Sequence, residues 1–165
     1  MEELVKQAKM GNDEAFTQLI IQMQCEMFRI AQTRLKNIDD ANDAIQQTNL
    51  YAYKNLRQLK EDKYFKTWII KILINNVNMK NRHYNKFQDE PVEDYIGEIE
   101  YSNIEENRDL YDAIDRLGEK YKTPVILQYF HDLTIPQIAE IMECNENTVK
   151  SYIRRAKKKL YDILK

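Results

Sequence analysis

Apolar residues in this chain return at steps of three and four, and that rhythm decides what it can fold into. Phe16, Leu19, Ile20, Met23, Met27, Ile30 and Ala31 keep it, which places them on one face of a helix. Ala41, Ala44, Ile45, Thr48, Ala52, Leu56 and Leu59 form a second such stripe. Phe65, Trp68, Ile69, Ile72, Leu73 and Val77 form a third, in a helix beginning near Tyr64. Gly11 is placed to end a short first helix, with Asn12 or Asp13 capping the second and Asp39 or Asp40 the third. Only three Gly and three Pro punctuate the 165 residues, too few for the turns of a sandwich or barrel. The chain is expected to be all-α, and its 43% hydrophobic residues suffice to build cores.

The net charge of −2 conceals a strong polarity along the chain. No Lys or Arg occurs between Lys86 and Arg108, where Asp89, Glu90, Glu93, Asp94, Glu98, Glu100, Glu105 and Glu106 fall, with Pro91 and Gly97 as breakers. Beyond Thr148 the balance reverses, with Lys150, Arg154, Arg155, Lys157, Lys158 and Lys159. This predicts two small helical domains, residues 1–87 and 107–165, joined by an acidic linker over 88–106. No secretory h-region opens the chain, and no apolar run approaches the roughly 20 residues that span a bilayer. Cys25 and Cys144 fit no metal-binding spacing, and with two isolated His they read as packing residues. A soluble, cytoplasmic protein without metal or cofactor is expected.

The C-terminal half carries the more telling local signals. Thr123-Pro124 reads as an N-cap and first-turn proline for an apolar helix, Val125 to Phe130. Thr134-Ile135-Pro136-Gln137 matches a capping box. It opens a short helix, and Glu143-Cys144-Asn145 turns out of that helix into another capped by Asn145. Val149, Ile153, Ala156 and Leu160 give the last helix an inner stripe, leaving Lys150, Ser151, Arg154, Arg155 and Lys158 outward. Two helices joined by so short a turn form a helix-turn-helix, and the small Ala139 permits their close approach. Hydroxyl, amide and cationic groups near the start of the second helix suit base edges, and those further along suit phosphates.

Two sets of motifs resemble one family. Gly11-Asn-Asp-Glu-Ala-Phe16, Asp40-Ala-Asn-Asp-Ala-Ile-Gln-Gln-Thr48 and Phe65-Lys-Thr-Trp-Ile-Ile-Lys-Ile-Leu-Ile-Asn75 resemble region 2 of extracytoplasmic-function (ECF) sigma factors, of the sigma-70 family. Leu117 to Leu160, with Leu133-Thr-Ile-Pro-Gln-Ile-Ala-Glu-Ile141 and Thr148-Val-Lys-Ser151, resembles their region 4. The sequence departs from the family pattern at several positions. Asn42 and Gln47 replace acids, Glu143 and Asn147 replace glycines, and Tyr152 replaces an Arg.

The resemblance implies a factor that binds core RNA polymerase and directs it to promoters, and is not an enzyme. Asp40, Asp43, Gln46 and Gln47 would dock on the clamp of the largest subunit, and region 4 on the flap of the second. Lys60, Lys63, Tyr64, Asn75, Asn76, Lys80 and Arg82 would capture the −10 element. Asn147, Thr148, Lys150, Ser151, Arg154, Arg155 and Lys158 would bind the −35 element. The acidic linker would run through the RNA-exit region, and an anti-sigma factor would hold the protein inactive. No small-molecule substrate is implied. A second reading is a stand-alone helix-turn-helix regulator with an N-terminal dimerisation module, but it gives the Phe-Lys-Thr-Trp helix no task. An enzyme is weaker still, because no catalytic constellation or phosphate-cradling glycine loop occurs.

Overall fold

The computed structural model describes residues 1–87 and 108–165, so the acidic linker expected at 88–106 lies outside the described residues. The chain divides into two compact units, Met1–Gly97 and Glu98–Lys165. Among the described residues every regular element is helical.

In the first unit, α1 (Glu2–Lys9) ends before Gly11, whose φ of +94° is costly for any residue with a β-carbon. Asn12 then caps α2 (Asp13–Arg34), its Oδ1 accepting from Ala15 N at 3.1 Å. The cap of α3 (Ile38–Asn55) is Asn37, which corrects the expectation of Asp39 or Asp40. Asn37 has the extended backbone a cap needs, and its Oδ1 accepts from Asp39 N at 2.8 Å. The two aspartates fall in the first turn instead, where their charge meets the positive end of the helix dipole. Two 3-10 turns, Leu56–Gln58 and Asp62–Tyr64, lead into α4 (Phe65–Phe87).

α3 packs on α4, and α2 on α1, α3 and α4. Leu19, Met23, Met27, Ile30, Phe65, Ile69, Ile70 and Leu73 are fully buried there. Each such side chain contributes roughly 1.5–3 kcal/mol relative to exposure. Polar braces then fix α4 against its neighbours. Asn76 Nδ2 donates to Thr48 Oγ1 at 3.0 Å, and that buried hydroxyl donates in turn to Ala44 O. Arg34 Nη2 donates to Asn78 Oδ1 at 2.8 Å, and Asn81 Nδ2 to Arg34 O at 3.3 Å. The cysteines part company: Cys25 is exposed on α2, against the expectation of packing, while Cys144 is half-buried and burial pushes its thiol pKa up. Cys25 lies off the stripe kept by Met23 and Met27, so nothing closes over it.

The second unit holds α5 (Arg108–Asp115), α6 (Glu119–Tyr129), α7 (Ile135–Met142) and α8 (Glu146–Leu164). Ile114, Leu117, Val125, Ile126 and Ala156 form its core, with Leu110, Tyr121, Phe130 and Leu160 packed around them. The expected start at Thr123-Pro124 is wrong. α6 begins after Gly118, and Pro124 lies inside the helix, where it has no N–H to offer Lys120 O. Thr123 donates back to Glu119 O at 3.2 Å, and Thr123 and Pro124 are buried with Val125, Ile126 and Leu127. Burial of that apolar run outweighs the missing bond, and the polar first turn hid the true start.

Candidate nucleic-acid interface

The helix-turn-helix is built by three local devices. At the start of α7, Gln137 Oε1 accepts from Thr134 N at 2.9 Å and the capping box closes reciprocally. At its end, Cys144 N donates to Ala139 O and Glu143 N to Glu140 O, a Schellman pattern that puts Glu143 at φ 53°, ψ 43°. Asn145 then caps α8, its Oδ1 accepting from both Thr148 N, at 2.8 Å, and Thr148 Oγ1, at 3.0 Å. Ile138, Ala139 and Ile141 on α7, with Val149 and Ile153 on α8, are buried.

Burial on that side leaves one long side of α8 to solvent. Asn147, Ser151, Arg154 and Lys158 follow steps of three and four, so they share the face opposite Val149, Ile153 and Ala156. Asn147, Arg154 and Lys158 are exposed, and Lys150 lies exposed on a flank. The structure does not bring all seven candidates into this face. The hydroxyl of Thr148 is spent on the cap. Arg155 lies on the other flank beside the Tyr121 hydroxyl, and its guanidinium holds that hydroxyl's pKa below the usual phenol range. Tyr121 also meets Tyr152 edge-to-face, centroids 5.7 Å apart, with Lys120 and Lys159 over its ring. Tyr152 therefore serves the packing of α8 on α6.

The candidates of the first unit divide similarly. Asn75 and Arg82 are exposed and share a stripe of α4 with Met79, which is 67% exposed. Sequence reading missed Met79, since a methionine in a helix reads as core. Asn76 faces α3 through its bond to Thr48. Lys80 faces α3 too: its Nζ lies 3.5 Å from Asp40 Oδ1 and 3.3 Å from Asp43 Oδ2. Two candidate polymerase contacts thus pair with a candidate DNA contact. Gln46 and Gln47 are exposed on α3, near the exposed Leu50 and Tyr51. In the connection between α3 and α4, Lys60, Lys63 and Tyr64 are exposed. Lys63 pairs with Glu61 at 2.9 Å and lies 4.8 Å from the Tyr64 ring centroid; Glu61 and then Tyr64 raise its pKa.

Comparison with known proteins accounts for both units. Residues 19–86 match Sigma-70 region 2, and residues 107–160 match Sigma-70, region 4. RNA polymerase sigma factor SigV of Bacillus subtilis is 32% identical over 136 residues, covering 81% of each chain. The chain belongs to the ECF sigma factors. SigW of the same organism, an ECF RNA polymerase sigma factor, is 26% identical over 174 residues, covering 94% of this chain and 92% of its own. Among solved structures, CnrH in complex with the cytosolic domain of CnrY has the same fold. Its TM-score is 0.75 at 21% identity, over 99% of this chain and 96% of that one. The sigma factor RpoE of Bartonella quintana, solved with the anti-sigma factor NepR, gives 0.74, over 90% of this chain and 96% of that one.

As a sigma factor, the protein binds core RNA polymerase and promoter DNA and directs transcription initiation. A stand-alone regulator is not favoured, because region 2 accounts for the half that reading left as a dimerisation module. Among the described residues no helix is long and apolar enough to cross a membrane.

Proposed function

We propose that the sigma factor divides promoter recognition between its two units, region 2 spanning 1–87 and region 4 spanning 107–165, with 88–106 as the acidic linker. α8 enters the major groove at the −35 element, with Asn147, Ser151 and Arg154 toward base edges. Lys150, Arg155 and Lys158 hold phosphates, and Thr148 fixes the start of the helix. The observation that carries this is the solvent-facing row of Asn147, Ser151, Arg154 and Lys158 opposite the buried stripe. Lys60, Lys63, Tyr64, Asn75 and Arg82 take the −10 element, where strand opening exposes bases that an aromatic ring and polar edges can hold. Asn76 and Lys80 support that surface from the side of α3.

Asp40, Asp43, Gln46 and Gln47 meet the clamp of the largest polymerase subunit, and region 4 meets the flap of the second. The protein works in the cytoplasm without catalysing a reaction, and an anti-sigma factor restrains it. The solved relatives of the same fold, held by CnrY and by NepR, support such a partner.

Titration of labelled promoter DNA with protein alone, core polymerase alone and both tests this reading. One helix-turn-helix reads one half-site, and the acidic linker repels DNA within a Debye length of about 8 Å. The isolated protein should bind weakly, with steep salt dependence. Polymerase should raise affinity and selectivity together, by joining two weak contacts through effective concentration. Tight, selective binding of a dimer without polymerase would overturn the reading.

A further inference from the structure

We propose that Lys9, on α1, is a positioning residue that holds the connection between α3 and α4 in the shape needed to capture the −10 element. This rests on the reading above that Lys60, Lys63 and Tyr64 take that element. The Lys9 ammonium donates to Leu59 O at 2.5 Å and to Asp62 Oδ1 at 2.5 Å. Its backbone carbonyl accepts from Arg57 Nε at 3.3 Å. One residue of α1 thus ties three points of a segment about 50 positions away. Lys9 and Asp62 side chains keep only 21% and 18% of their exposure, whereas Lys63 and Glu61 keep more than half.

The segment needs such a tie. It consists of two 3-10 turns of three residues each, too short to hold themselves in one conformation. Its hydrophobic anchors, Leu56 and Leu59, lie at the α3 end. Lys9 pins Leu59 on one side of Lys60-Glu61 and Asp62 on the other, through charge-assisted bonds, which are about twice as strong as neutral ones. The tip is left outward with its ends fixed. α1 itself is held by Val5, which is wholly buried. Fixing the segment in advance removes an ordering cost that base capture would otherwise bear.

The test uses the full chain with core polymerase. Lys9→Met, Lys9→Arg and Asp62→Asn are compared on duplex promoter and on pre-melted promoters differing in the −10 sequence. Lys9→Met and Asp62→Asn should each slow open-complex formation by about tenfold and flatten discrimination among −10 sequences. Affinity for core polymerase should stay at the level of the unsubstituted protein, and Lys9→Arg should restore most of the discrimination. Should Lys9→Met fail to fold, Asp62→Asn breaks the same pair from its other end and decides the matter. Unchanged opening and discrimination in these variants, beside a defective Tyr64→Ala, overturns the role of Lys9 alone. If Tyr64→Ala and Lys60→Ala are also unaffected, the −10 reading fails with it.

Discussion

Glu143 occupies the left-handed region where the family pattern has glycine, at φ 53° and ψ 43°. For a residue with a β-carbon that conformation costs about 1 kcal/mol or somewhat more. Glu143 also takes part in an interaction of its own. Glu143→Gly should therefore raise the melting temperature of the C-terminal unit by several degrees, at about 4–8 °C per kcal/mol for a small domain. A lower melting temperature in scanning calorimetry would mean that what the glutamate contributes outweighs the backbone strain. The paired asparagines of α4 make a second residue-scale contrast. Asn76→Ala removes the bond to buried Thr48 and should destabilise the N-terminal unit by about 1 kcal/mol in urea unfolding. Asn75→Ala, at an exposed position, should leave stability unchanged and slow promoter opening. Helical phase distinguishes the two: Asn76 continues the buried stripe of Ile69, Ile72 and Leu73, whereas Asn75 lies off it.

At the scale of elements, the helical stripes were legible because burial and periodicity agree. Every residue of the stripe from Ala41 to Leu59 is buried, although α3 ends at Asn55 and Leu56 and Leu59 fall in and after the 3-10 turn beyond it. The capping box at Thr134 and the Asn145 cap were legible too, since their hydrogen bonds stay within three residues. The start of α6 was not, because Thr123-Pro124 imitates a boundary while tertiary burial carries the helix through it. Nor was the tie from Lys9 to Asp62, which spans 53 positions and leaves no local trace. The face of α8 was legible in outline, but the pairing of Arg155 with Tyr121 depends on how α6 packs. That pairing sorts the two arginines. Arg154→Ala should cost about 1–3 kcal/mol of promoter binding and relax preference at one base pair. Arg155→Ala should weaken binding equally on all sequences and reduce the salt slope by about one. Measuring the holoenzyme on single-base −35 variants at two salt concentrations separates these outcomes, and a reversed pattern would exchange the roles.

At the scale of the whole molecule, each unit has its own core, so damage to one should stay there. Leu127 is fully buried in the second unit, and Leu127→Ala should cost about 2–5 kcal/mol. Amide exchange should then quicken throughout 108–165 while protection in 1–87 stays unchanged. Loss of protection in both would show that the two unfold together. α4 carries a different consequence. Its 23 residues make a rod about 34 Å long, one full turn of duplex DNA. On a lever of that length a tilt of about five degrees at the root moves the tip about 3 Å, enough to shift a side chain off its base. The clasps from Thr48, Arg34 and the Asp40–Asp43 pair are gathered near the middle of the rod, at Asn76, Asn78 and Lys80, well past its root. They set its aim as a gunsight is set, and the cost of loosening any of them should grow with the distance of the reading residue from the pivot.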